Sequence, residues 1–96
     1  MIYLLTVSGN TSINGITFVT GLPSNGRTVT IINNYDTSDN AHNITYMNQV
    51  AGATGPLWVV NNNNYTSREQ GATTFVYFSS GLNVVTSGWV MTSNSG

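Results

Sequence analysis

The feature that most limits the fold is the spacing of apolar residues. They alternate with polar ones or fill runs of a few residues, and no stretch keeps a helical period. The run 27–33 is the plainest case: Val29 and Ile31 fall on one face of an extended chain, Thr28, Thr30 and Ile32 on the other. β-Branched and aromatic residues dominate these runs, and Gly, Asn and Pro punctuate them. Further strands are predicted at 2–7, 15–20, 42–47, 57–60, 73–78 and 89–92, with a short one around Val84 and Val85. In 15–20, Ile16 and Phe18 should point inward, with Leu22 beyond them. Asn25-Gly26 favours the positive φ angles of a tight turn. Residues 34–41 and 61–70 read as polar loops, and 93–96 as a frayed end. Six or seven short strands at this spacing predict one all-β domain over residues 1–96, an antiparallel β-sandwich or jelly-roll-like fold.

Such a fold has sheet edges, and here the usual means of protecting them are scarce. Only Arg27, Asp36, Asp39, Arg68 and Glu69 are charged, and there is no lysine. That is 5% of the chain, against about 25% in an average soluble domain. Asn, Thr, Ser and Gly supply half the residues instead. Monomeric β proteins guard edges with lysine, proline or inward charges. The economical expectation is that partner chains cover the edges and apolar patches; the simpler one is that Asn- and Thr-rich edges with bulges suffice. Two arginines cannot form a basic stripe, so nucleic acid is not an expected partner. The apolar opening, residues 1–7, is too short to span a membrane and lacks a basic leader, so membrane insertion is not expected either. With no cysteine, disulfides and thiolate metal sites are excluded.

The sequence offers little support for catalysis. Ser38, Asp39 and His42 are triad residue types, but five consecutive loop positions cannot easily supply the separated geometry that a triad needs. Asp36, Asp39 and His42 could contribute to a hard-cation site, yet their spacing matches no known loop pattern. The ordinary reading is a solvated loop whose Asp and Asn side chains cap their own turn. Asp36, Asp39 and Glu69 show no pairing suited to glycoside cleavage. Three Asn-X-Ser/Thr triplets, at Asn10, Asn43 and Asn64, are what chance gives in so Asn- and Thr-rich a chain. The expectation is therefore no enzyme, no metal and no cofactor.

Two stretches carry a resemblance. Ile13-Asn14-Gly15-Ile16 continues to Gly21-Leu22-Pro23-Ser24-Asn25-Gly26-Arg27-Thr28-Val29-Thr30-Ile31-Ile32-Asn33-Asn34. Later, Gly71-Ala72-Thr73-Thr74-Phe75-Val76-Tyr77-Phe78 is followed by Gly88-Trp89-Val90. This order resembles small β domains at the ends of bacteriophage tail fibres and spikes, and in related virion-surface proteins. It covers about two-thirds of the chain and departs at residues 36–40 and 61–64. The resemblance implies a homotrimer on the particle exterior.

Two roles follow from it. A capsid decoration (cement) protein would stabilise the shell by holding the major capsid protein or another virion protein. The candidate contact with that partner, or with another copy, is Ile2, Tyr3, Leu4, Leu5 and Val7. The chain runs from Met1 straight into this segment without a shaft-like stretch, which favours decoration; an excised fibre tip would read the same. A receptor-binding tip would instead recognise a bacterial surface glycan or protein. Its candidate ligand-contact residues are Tyr35, Asn61, Asn62, Asn63, Asn64 and Tyr65, with Trp58 as a further stacking candidate. Trp58 and Trp89 are both expected in the core.

Overall fold

The computed structural model describes residues 1–18, 23–34, 42–68, 70–79 and 87–95. Among these residues, eight strands occur in this order: β1 (Ile2–Leu5), β2 (Thr11–Ile13), β3 (Thr28–Asn33), β4 (Ile44–Tyr46), β5 (Leu57–Trp58), β6 (Tyr65–Ser67), β7 (Ala72–Phe78) and β8 (Gly88–Asn94). They form two packed sheets, one ordered β1-β3-β7-β8-β5 and a smaller one ordered β2-β4-β6. The all-β sandwich is thus observed.

The strand directions differ from the antiparallel expectation. β1 with β3, β2 with β4 and β5 with β8 are parallel pairs, whereas β3–β7, β4–β6 and β7–β8 are antiparallel. The cause is the path of the chain, which alternates between the large and small sheets from β1 to β7. Strands next to each other in a sheet are then separated by a strand in the opposite layer. Such crossovers leave the direction free, whereas a tight hairpin always reverses it: β1–β3 and β2–β4 return parallel and β4–β6 antiparallel. Among the described strands, only β7 and β8 are consecutive members of one sheet.

Alternation along the strands builds the core. Val29 and Ile31 of β3, Phe75 and Tyr77 of β7, and Trp89 and Met91 of β8 face Ile44 and Tyr46 of β4, with Leu57 and Val59 closing one end. Each fully buried aliphatic side chain contributes about 1.5–3 kcal/mol relative to exposure. The Tyr46 and Phe75 rings meet at 5.2 Å. Trp89 is wedged edge-on between Phe18, at 5.8 Å, and Tyr77, at 5.2 Å. Its indole Nε1 donates to the Ile16 carbonyl at 2.9 Å, so one buried residue anchors the 16–18 segment. Burial pushes the Tyr46 hydroxyl up to about 12, with the Thr73 hydroxyl beside it opposing the shift and Tyr65 adding to it. It therefore stays protonated well above neutral pH.

Several boundaries differ from those read in the sequence. Residues 16–18 pack on the core without joining a ladder; only Gly15 bridges, to Pro56, while β2 forms just before it. Gly15 is required there, because a Cβ would strike the Thr54 and Gly55 carbonyls. β6 lies inside the expected 61–70 loop. Residues 93–94 are paired strand, because a bulge after Thr74 lets β8 continue opposite Thr73. Leu22, Val84 and Val85 lie outside the described residues.

A polar tie joins the sheets at one end. Asn33, 2% exposed, donates through Nδ2 to the His42 carbonyl at 2.8 Å and the Ser67 carbonyl at 3.1 Å, linking β3 to the loop before β4 and to the end of β6. A buried polar group left without partners costs about 1–3 kcal/mol. Asn33→Ala should therefore lower unfolding stability by about 2 kcal/mol or more, seen as a reduced urea midpoint with unchanged denaturant slope.

Candidate assembly surface

β1 forms one border of the large sheet. Its partner register runs from Ile2 against Thr30 to Leu5 against Asn33. Thr30 N–H donates to the Met1 carbonyl at 2.8 Å and Asn34 N–H to the Leu5 carbonyl at 3.0 Å. In an extended strand, the N–H and C=O of one residue point to the same side and alternate residue by residue. Met1, Tyr3 and Leu5 therefore address β3, while Ile2 and Leu4 aim their main-chain groups away from the sheet. Among the described residues, no strand lies on that outer side.

The side chains make this border unusual. Ile2 is 69% exposed, Leu4 68% and Met1 57%, with Tyr3 at 41%. Ile2 and Leu4 stand on the outer face beside Thr30 and Ile32. That face continues through Val76, Val90 and Trp58, one cross-strand row, and carries no charged residue. Thr30 and Thr74 hydroxyls, 2.9 Å apart, satisfy each other on it. On the inner side, β1 overhangs a groove of about 390 Å³ between Tyr3 and Leu5 above and Ile16 and Phe18 below, with Val29 and Ile31 at its back. The Arg27 guanidinium lies 4.7 Å from the Phe18 ring centre near this groove.

Of the five residues predicted to make contacts, Ile2, Tyr3 and Leu4 are thus presented together on an open border. Leu5 and Val7 are not; both are half-buried and pack against their own core. The sequence had no means to separate the two groups, since all five lie in one apolar run.

The other borders are managed differently. β5 is two residues long, and its outer side is covered by residues 48–49: the Asn48 Oδ1 accepts from Val59 N–H at 2.8 Å, and Gln49 N–H donates to the Leu57 carbonyl at 2.9 Å. β2 and β6 are three residues each, and the small sheet turns a hydroxyl row of Ser12, Thr45 and Thr66 outward. β1 is the longest of the border strands among the described residues and the most apolar.

The candidate ligand loop also makes structural contacts. Asn61 and Asn62 adopt positive φ angles of 57° and 54°, which asparagine tolerates better than most residues. Asn64 Oδ1 accepts from Asn48 N–H at 2.8 Å, and Asn62 Oδ1 from Gln49 Nε2 at 3.3 Å. Asn61, Asn62, Asn63 and Asn64 remain exposed, but Tyr65 is half-buried in β6 against the core, so it is no loop tip. Trp58 is half-buried on the outer face, not in the core, because its ring occupies the space a Gly88 Cβ would need. Tyr35, Ser38, Asp36, Asp39 and Glu69 lie outside the described residues. His42 is half-buried, and among the described residues no three metal-ligating side chains gather.

No protein-family model, curated protein or solved structure matches this chain. The border strand is the feature with most to say about function.

The asparagine loop yields a direct check on its structural role. Asn64→Ala removes the acceptor for Asn48 N–H and should cost about 1 kcal/mol in urea unfolding, whereas Asn63→Ala should stay within about 0.5 kcal/mol.

Proposed function

We propose that the chain is a non-enzymatic structural protein of the bacteriophage virion surface, acting as a capsid decoration protein on the particle exterior. One observation carries this reading: an apolar border strand with unpaired main-chain groups in a chain almost free of charges. A protein living dispersed at high concentration gains nothing from such a border and risks aggregation through it. A protein that ends in an assembly gains main-chain hydrogen bonds from strand addition and free energy from burying Ile2 and Leu4. Its partners are other copies of itself and the major capsid protein or another virion protein. A protein that binds the assembled shell and not its free subunits stabilises the shell by mass action. The uncharged outer face suits the same role, because few charges leave little for salt to screen.

The receptor-binding reading keeps one supporting feature, the exposed amides of Asn61, Asn62 and Asn63. They offer hydrogen bonds to a glycan, but the neighbouring aromatic candidates Trp58 and Tyr65 are only half-exposed.

Copy number separates the readings. Quantitative mass spectrometry of purified particles from cells expressing the gene should find hundreds of copies per particle. A few to a few dozen would move the protein to a tail fibre, and its absence from particles would overturn the virion assignment.

A further inference from the structure

We propose that β1 pairs antiparallel with β1 of a second copy, about a two-fold axis passing beside Tyr3. This rests on β1 being a contact strand, as above, and adds the occupant, the symmetry and the register, a two-fold contact in place of the homotrimer that the resemblance implies.

The register follows from the strand itself. Only Ile2 and Leu4 direct N–H and C=O groups outward, on either side of Tyr3. A two-fold axis at Tyr3 sets Ile2 of one copy opposite Leu4 of the other, and the reverse. In an antiparallel ladder, residues whose groups face each other exchange both bonds. Two such pairs close four hydrogen bonds and leave none of these outward groups unpaired. No one-residue slip does this, because it would set outward-facing residues against inward-facing ones.

The side chains agree on both faces. Outward, Ile2 and Leu4 of each copy meet as one apolar cluster, covering the two most exposed large hydrophobic residues among those described. Inward, the partner's strand runs along the mouth of the 390 Å³ groove, where its Tyr3 can lie against Phe18 and Ile16. β1 carries no charged side chain, and an axis at Tyr3 sets the two Met1 ammonium groups, each held by its own Thr28 carbonyl at 3.3 Å, at opposite ends of the paired strands. The two large sheets then continue as one, which removes the open border from both. A closed two-fold contact also stops growth at two copies, whereas head-to-tail pairing would propagate.

The size of the contact sets its strength. A standard interface covers about 800 Å² per partner, roughly a seventh of this chain's 5711 Å² surface. The four residues of β1 make a strip about 13 Å long, which covers less than a standard interface. Dimerisation is therefore weak and concentration dependent.

Sedimentation equilibrium from about 1 µM to about 500 µM should show a monomer–dimer equilibrium. Ile2→Glu and Leu4→Lys, both on exposed side chains, should each weaken it at least about tenfold. The chain carrying both should recover dimer, because the axis sets each new acid opposite the partner's new base. Unchanged circular dichroism and thermal melts of each variant would establish that folding is intact. A wild-type monomer throughout, a trimer, or a dimer indifferent to the single changes would overturn the proposal; failure of the double change to rescue would overturn the register. A solution monomer present at hundreds of copies per particle would sink this pairing and leave the virion reading standing. A rescued dimer absent from particles would do the opposite.

Discussion

Main-chain N–H and C=O groups that reach the end of a ladder need partners, and this chain provides many of them from asparagine. Asn10 Oδ1 accepts from Asn43 N–H, Asn25 Oδ1 from Ser79 N–H, Asn48 Oδ1 from Val59 N–H and Asn64 Oδ1 from Asn48 N–H. Asn33 works in the other sense, donating to two carbonyls from within the protein. A carboxamide reproduces the peptide group's donor and acceptor, so it can end a strand without placing a charge there. The abundance of asparagine and the shortage of charge are therefore two sides of one structural solution. Short strands that alternate between layers create many ends, and these asparagines close several of them locally.

β1 escapes this arrangement on its outer side. Its inner groups are held by β3, and Leu5 and Val7 are held by the core, so the strand is anchored without being enclosed. The sandwich is also lopsided, with five strands against three. Beneath β1, among the described residues, the 16–18 segment lies against the inner face of the large sheet and leaves the groove behind Tyr3. An anchored strand keeps its shape before a partner arrives, so little conformational entropy is lost on pairing. The same geometry would be hazardous in a chain with no designated partner.

Much of the fold could be read from residue alternation. Val29 and Ile31 against Thr28, Thr30 and Ile32 gave the faces of β3, and the run 73–78 was recognisable as the strand that became β7. β2 and β6 were hidden because three-residue strands of Thr, Ser and one large side chain look like loop sequence. The parallel pairs were hidden because alternation reports which face a residue takes, not which layer the next strand joins. Trp58 was misplaced for a related reason: the space for its ring depends on Gly88, thirty residues away in sequence. The contact segment was legible as apolar, but the division between Ile2, Tyr3 and Leu4 outside and Leu5 and Val7 inside depends on where the strand ends. That is a property of the assembled sandwich.

The central claim is that β1 is bonded on one side and open on the other, and amide hydrogen exchange tests it residue by residue. In dilute solution, where the chain is monomeric, the Ile2 and Leu4 amides should exchange close to unfolded-chain rates, while those of Tyr3 and Leu5 are strongly protected by β3. Equal and strong protection of all four amides at that dilution would mean the chain covers this border itself, contradicting the account.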